Sequence, residues 1–299
     1  MRRIAHIVNP VLVGESSDLF LAQPITFETM RIARDFSGGK IHVELLSAQY
    51  PEDHPLVPSD FCRTPDLETS ILDHGRFRRP RKLPLLRDIL DRFWGATDAE
   101  YMIYTNVDIG LQPHFYLAVD QFIEEGFDAF VINRRTVSDR YLDIRHLPMI
   151  YSQTGQPHRG WDCFVFPRDA YLHYRLGTVC IGIPRADLAL IANMVAFATR
   201  FWEFKNRHLT FHLGNERAWR STAFSDYADH NTREALRILS ELEAERGSFD
   251  RSSPPGSFLF KYRRFGGLYE LWVRHGRLPV STKRWLEACA RRMPLLRRS

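Results

Sequence analysis

The hydrophobic positions of this chain fall into two alternating patterns. Short, nearly continuous apolar blocks occupy residues 4–13, 40–48, 101–106 and 128–133, each with the length and character of a buried strand. Between them lie stretches with apolar residues at helical spacing. Residues 26–36 start near Thr26 and stop at Gly38-Gly39, residues 83–94 carry Leu85, Leu86, Ile89, Leu90 and Phe93 along one stripe, and 113–125 follow the same period. Alternation of strand and helix predicts an α/β fold, a mostly parallel (mixed) sheet flanked by helices. Residues 49–81 are rich in Pro, Asp, Arg and Gly without sustained periodicity, and are expected to form a long loop with short helices.

Past residue 150 the alternation loosens into a short strand at 163–167, a long apolar helix at 185–204, a strand at 209–213 and an amphipathic helix at 231–245. Serines and Pro254-Pro255 mark 248–257 as a linker between a domain at 1–247 and an extension at 258–299. Charge divides the chain at nearly the same place. The whole carries +5, yet residues 261–299 hold 11 Lys/Arg against only Glu270 and Glu287, so the first 260 residues are net acidic. Phe258, Phe260, Tyr262, Phe265, Tyr269, Trp272 and Trp285 are interleaved with these cations. Such an extension is expected to be helical, either packing its aromatics on the main domain or lying on an anionic membrane surface.

With 299 residues, 44% of them hydrophobic, the chain can bury a large core. Cys62, Cys163, Cys180 and Cys289 have no C-x-x-C spacing, which argues against a zinc site or a disulfide framework and for a cytoplasmic location. The N-terminal apolar run breaks at Asn9-Pro10, short of a secretory or membrane-spanning segment. No helix-turn-helix, zinc finger or RNP motif indicates a nucleic-acid partner. Neither G-x-x-x-x-G-K-[ST] nor G-x-G-x-x-G is present, which excludes P-loop kinases and sulfotransferases and dinucleotide oxidoreductases.

The candidate chemistry begins where block 101–106 ends in Asn106-Val107-Asp108. Alternate residues of an extended segment point the same way, so two oxygen-bearing side chains at the end of a buried strand can hold a hard divalent cation. Asp108 is the leading metal ligand, its alternative being a turn-capping role. Asn106 can bind the metal through water, bind a ribose hydroxyl or hold the turn. In Gly155 to Arg168, Trp161 can offer a stacking platform for a sugar, and Asp162 can accept hydroxyls or act as general base. A core Trp and a turn-forming Asp explain the same pair. His158 and Arg159 are candidates for phosphate contacts. In Arg207 to Trp219, His208, Thr210 and His212 share one strand face by alternation, and either imidazole can complete a metal site with Asp108. Asp226, Asp229, His230 and Asn231 can serve there too, or cap the helix that starts at Asn231.

The order strand, helix, strand, loop with Arg81-Lys82, helix, then TNVDIG resembles the nucleotide-diphospho-sugar transferases, the glycosyltransferases of GT-A fold, over about residues 4–230. Their D-x-D motif, at the end of a central strand, holds a divalent metal on the donor diphosphate; here it reads Asn106-Val107-Asp108. The resemblance implies Asn9, Pro10, Arg81 and Lys82 near the nucleotide, Asp162 as the acceptor-side carboxylate and His212 as the C-terminal metal ligand. It implies Mn²⁺ or Mg²⁺ and a UDP- or GDP-linked sugar donor. The expected function is therefore sugar transfer to an acceptor, with peripheral contact to an anionic membrane through 261–299. Two other readings share the fold. A sugar-1-phosphate nucleotidyltransferase needs a Gly-rich loop with Arg and Lys after the first strand, where HIVNPVLVGES has one Gly and no Lys. A non-catalytic nucleotide- or glycan-binding descendant is suggested by the amide at Asn106.

Overall fold

A computed structural model describes residues 1–214 and 224–265. In chain order its elements are β1 (Arg3–Val8), α1 (Asp18–Phe36), β2 (His42–Ser47), β3 (Cys62–Arg63), α2 (Leu86–Ala96), β4 (Tyr101–Thr105), β5 (Gly110–Leu111), α3 (Phe115–Glu124) and β6 (Ala129–Val137). They continue with α4 (Leu147–Tyr151), β7 (Gln156–Pro167), α5 (Ala186–Phe197), β8 (Phe201–Phe204), β9 (Thr210–Leu213), α6 (Ser225–Arg246) and α7 (Pro254–Phe265). The chain divides into two compact units, Met1–Phe249 and Asp250–Ser299. In the second, α7 starts at Pro254, so residues 254–257, expected in a linker, form a first helical turn. Most of the basic extension expected at 258–299 lies outside the described residues.

Among the described residues the strands form one mixed α/β sheet in the order β3-β2-β1-β4-β7-β6-β9-β5, with β8 also paired to β6. The neighbours β1/β2, β1/β4, β2/β3, β6/β8 and β6/β9 are parallel, whereas β4/β7, β6/β7 and β5/β9 are antiparallel. One consequence governs the site. Thr105 at the end of β4 pairs with Cys163, which brings Asp162 of the oppositely directed β7 beside Asn106.

Both faces of the sheet are covered. Phe27 and Met30 of α1 and Phe115, Val119 and Phe122 of α3 pack with Ile4, Ile103, Phe130, Cys163 and Val165. On the other face Phe166 of β7 contacts Tyr174, which stacks on Phe197 of α5. Helix α5 is apolar all round and nearly every residue from Ala186 to Met194 is buried, as expected of a helix enclosed between the sheet and α6. His6 in β1 bonds the Tyr116 hydroxyl through Nδ1 and Thr105 Oγ1 through Nε2, each at 2.9 Å. Its complete burial pushes the imidazole pKa down to about 3, so this strut between β1, α3 and the end of β4 is neutral.

Several sequence expectations need correction. Helix α1 begins at Asp18 rather than Thr26, because the Ser17 side chain caps it and Pro24 is accommodated within it. Strands β6 and β7 run past the apolar blocks at 128–133 and 163–167, their polar halves held by mutual pairing out to Thr136 and Gln156. The helix expected over 185–204 ends at Phe197, and its aromatic tail becomes β8. Helix α6 starts at Ser225, six residues before Asn231, so Asn231 is inside the helix and not its cap. Among the described residues no helix is long and apolar enough to cross a membrane.

Candidate active site

The C-terminal ends of β1, β2 and β4 share one edge of the sheet, the edge at which open α/β sheets bind ligands. Beyond Thr105 a turn closed by the Ile109 N–H to the Asn106 carbonyl (3.2 Å) leads into β5 and presents Asp108. Two contacts fix that turn. The Leu111 N–H donates to Thr29 Oγ1 at 3.0 Å, and Gly110 lies so close to the Phe211 ring that a Cβ there would come within 2.3 Å of it. Strand β9 then sets His212 against Asp108.

His212 Nε2 stands 3.1 Å from Asp108 Oδ2, and Nδ1 stands 3.0 Å from the Gly214 carbonyl oxygen. A carbonyl only accepts, so Nδ1 carries a proton. Nε2 therefore meets the carboxylate as the second N–H of an imidazolium, or as a lone pair that needs a proton or a metal cation shared with the acid. Burial works against the charged imidazole, but the Asp108 hydrogen bond and charge outweigh it and raise the His212 pKa. Burial likewise works to raise the Asp108 carboxyl, and the His212 bond and charge reverse this and hold it below its usual range.

The second half of the site is Asp162. Its Oδ1 takes an ion pair from Arg134 Nη1 at 2.9 Å and a hydrogen bond from Asn106 Nδ2 at 3.3 Å, while Asn106 Oδ1 accepts from the Tyr104 hydroxyl at 3.3 Å. An amide at position 106 thus does what a carboxylate cannot, donating to a buried neighbouring acid. Asp162 is only 7% exposed. Burial, with the Asp108 charge adding to it and Arg134 opposing, pushes its pKa up to about 6.

Both acids of the site keep one oxygen unsatisfied. Among the described residues Asp108 Oδ1, Asp162 Oδ2, Asn133 Oδ1, Arg134 Nε and Thr210 Oγ1 are buried without a hydrogen-bond partner. Buried polar groups are rarely left so, and the free oxygens of Asp108 and Asp162, on two acids that both neighbour the end of β4, fit a polar or ionic ligand. Gly160, two residues before Asp162 on the same face of β7, keeps the space open: a Cβ there would lie 3.3 Å from Asp162 Oδ2 and 2.6 Å from the His158 ring.

The remaining candidates separate. Trp161 and Asp162 are successive residues of a strand and face opposite sides, and the Trp161 indole N–H donates to Glu203 Oε1 of β8 at 2.9 Å. His158 accepts from the Gly160 N–H at 2.9 Å, and Arg159 is exposed. Asn9 spends its amide on the Ala48 carbonyl (2.6 Å), and Pro10 beside it is buried at the site edge. Arg81 lies over the Phe224 ring at 4.7 Å, while Lys82 bonds Glu52 at 2.6 Å and sits 3.8 Å above the Tyr50 ring. His208 does not share a strand face with His212: it precedes β9 in a left-handed conformation (φ 52°), and its Nε2 lies 3.2 Å from Gln112 Nε2. Asp226 holds the Arg78 N–H at 2.7 Å, His230 meets Thr178 Oγ1 at 3.0 Å, and Asn231 ties Cys180. Asp229 lies between Asp226 and His230 on α6.

Sequence reasoning missed Arg134 and Asp187. Arg134 was hidden because β6 was expected to end at 133. Asp187, at the start of α5, accepts from the Arg185 and Leu188 N–H groups (3.1 and 2.8 Å) and contributes to the field that raises Asp162. Its signal was the Asp in the first turn of an apolar helix. Arg185 before it takes a left-handed conformation (φ 86°), an uncommon one for a residue with a side chain.

No family model and no curated protein matches this chain. Among solved structures it is similar to S. aureus TarS residues 1–349 in complex with UDP-GlcNAc (11% identity, 84% of this chain and 74% of that one, TM-score 0.45). It is also similar to M. tuberculosis glucosyl-3-phosphoglycerate synthase in complex with Mn²⁺, uridine-diphosphate-glucose and phosphoglyceric acid (13% identity, 83% and 81% covered, TM-score 0.42).

Proposed function

We propose that the protein is a glycosyltransferase that moves a sugar from a nucleotide-diphosphate donor, UDP-linked in the first instance, to an acceptor. The observation that carries this reading is the pairing of two unlike acid sites at the end of β4. Asp108 is held ionised against His212, while Asp162 is held near neutrality by burial and keeps one oxygen unsatisfied. Two carboxylates driven apart in pKa by their surroundings are how one site supports both charge stabilisation and proton transfer.

Asp108 and His212 fit a divalent cation. Among the described residues no group of three or more His, Cys, Asp or Glu could hold a metal by itself, but Mg²⁺ and Mn²⁺ commonly take one or two protein ligands and complete their shell with water and substrate phosphates. The orphaned Asp108 Oδ1 and the fixed His212 Nδ1 proton both suit that role. Bound there, Mn²⁺ or Mg²⁺ would supply electrostatic stabilisation of the departing diphosphate.

The protein's own groups do the rest. Arg134 and Asn106 clamp Asp162 Oδ1, leaving Oδ2 as the oxygen that takes the proton from an acceptor hydroxyl as it attacks the anomeric carbon. On the resemblance alone, Asn9, Pro10, Arg81 and Lys82 are assigned to the nucleotide side and His158 and Arg159 to the acceptor side. This use of Asn106 favours turnover over a non-catalytic descendant, because the amide orients the base. The test is a transfer assay of the full chain against UDP- and GDP-sugars with Mn²⁺. Release of nucleoside diphosphate in wild type, lost in Asp162→Asn with donor binding intact, is expected. Unchanged release in Asp162→Asn contradicts the assignment.

A further inference from the structure

Residues 74–85, HGRFRRPRKLPL, hold five cations, Arg76, Arg78, Arg79, Arg81 and Lys82, and no acid. All five are exposed. A flexible basic loop is commonplace, but this one is fastened. The Phe77 ring stacks on Tyr227 of α6 at 4.0 Å between centroids, and the Arg78 N–H donates to Asp226 Oδ2 at 2.7 Å. The Tyr227 hydroxyl, at the base of the loop, accepts the Arg81 N–H at 2.7 Å and donates to the Arg79 carbonyl at 2.9 Å. Pro80 stiffens the chain further. The fold therefore holds like charges side by side on a rigid backbone although they repel one another.

Three of the five have no ion-pair partner among the described residues. Lys82 is matched by Glu52, and Arg81 lies on Phe224, but no carboxylate of the described residues forms an ion pair with Arg76, Arg78 or Arg79. The C-terminal end of the loop, at Lys82, reaches the sheet edge that carries the candidate site. Lys82 lies over Tyr50, just past the end of β2, and Asp53 ties that segment to the end of β1 by accepting from the Tyr50 N–H (3.3 Å) and the Leu12 N–H (2.6 Å). Strand β2 stands two places from β4 in the sheet, a lateral spacing of about 10 Å.

We propose that Arg76, Arg78 and Arg79 form a preorganised site for an acceptor that carries several phosphate groups. Guanidinium groups bind phosphate oxygens in bidentate fashion, and a backbone already pinned loses little freedom on binding. The single aromatic ring of the segment faces inward on Tyr227, so the loop offers no wedge for a bilayer and no stacking platform for nucleic-acid bases. The word acceptor rests on the transferase reading; the anion site rests on the loop.

The experiment measures binding of fluorescein-labelled inorganic polyphosphate at low salt to the full chain. It compares wild type, Arg76→Ser/Arg78→Ser/Arg79→Ser, and a charge-matched control in the tail, Arg291→Ser/Arg292→Ser/Arg297→Ser. Losing three charged contacts is expected to weaken binding by about thirtyfold in the loop variant and little in the control. The same proteins are melted with UDP and Mn²⁺, and the loop variant is expected to keep the wild-type stabilisation. Equal loss in the tail control, or no loss in the loop variant, overturns the site. Stronger binding to phosphatidylglycerol vesicles or to single-stranded DNA overturns the ligand class. Loss of the UDP effect in the loop variant assigns the cations to the donor and overturns the acceptor role. A wild type that UDP and Mn²⁺ fail to stabilise refutes the transferase reading, whatever the polyphosphate result.

Discussion

Replacing Asp162 by Asn separates stability from catalysis in a way that the structure quantifies. Asn preserves the size of the side chain and the acceptor for Arg134 and Asn106, and mimics the protonated acid. The Asp162 carboxyl ionises in the folded protein at about 6 against an ordinary 3.8. In the folded state the proton is therefore held more tightly, so wild type loses stability as pH rises from about 4 to about 6 and stays lower above that. At about 1.4 kcal/mol per pH unit the loss is about 3 kcal/mol. Asp162→Asn escapes it. Metal-free and nucleotide-free protein unfolded in urea should show no difference between the two forms near pH 4, and a variant more stable by about 3 kcal/mol at pH 8, while turnover is abolished. A variant that is less stable than wild type at pH 8, or equally stable throughout, would mean that the Arg134 ion pair stabilises the fold outright, and the argument for a base raised by burial would fail.

Three other outcomes follow from the same geometry. Turnover should rise with pH through about 6 as Asp162 loses its proton, which a kcat/KM profile would read; a profile flat between pH 5 and 8 contradicts the base assignment. The His212–Asp108 ion pair is complete between the lowered Asp108 value and the ordinary imidazole pKa, and is lost as pH rises through the raised His212 value. Mn²⁺ must displace that Nε2 proton, so Mn²⁺ affinity measured by calorimetry should strengthen as pH increases from 6 to 8, and should not do so in His212→Gln. Gly110→Ala should lower stability by about 2 kcal/mol, read as a fall in Tm, because its Cβ would meet the Phe211 ring at 2.3 Å; an unchanged Tm would show that β5 and β9 can part at no cost.

What the sequence revealed and what it hid have physical reasons. Strand β4 was legible because it is apolar at almost every position and stops at Asn106, and the same abrupt change located Asp108. Asp162 and His212 were legible as acid and imidazole beside apolar runs, and the antiparallel pairing of β4 with β7 and the placement of β9 join them to Asp108. Arg134 was not, because the apolar block ends at Asn133 and Arg134-Arg135 carries no strand signal of its own, although pairing with β7 continues the strand through it. His208 looked like the strand partner of His212 because alternation cannot show a residue at φ 52°. Trp161 looked like a platform beside Asp162, yet adjacency in sequence means opposite faces once the segment is a strand. The basic loop was visible as composition, but its fastening by Phe77 and Tyr227, 150 residues apart, is tertiary.

The central claim is that Asp108, with His212, binds a cation through which a nucleoside diphosphate is held. Calorimetric titration of UDP into the full chain, with and without Mn²⁺, in wild type and Asp108→Ala, tests it most directly. The account predicts UDP binding in wild type only when Mn²⁺ is present, and none in Asp108→Ala under either condition. UDP binding that is indifferent to Mn²⁺, or that survives Asp108→Ala, would contradict it.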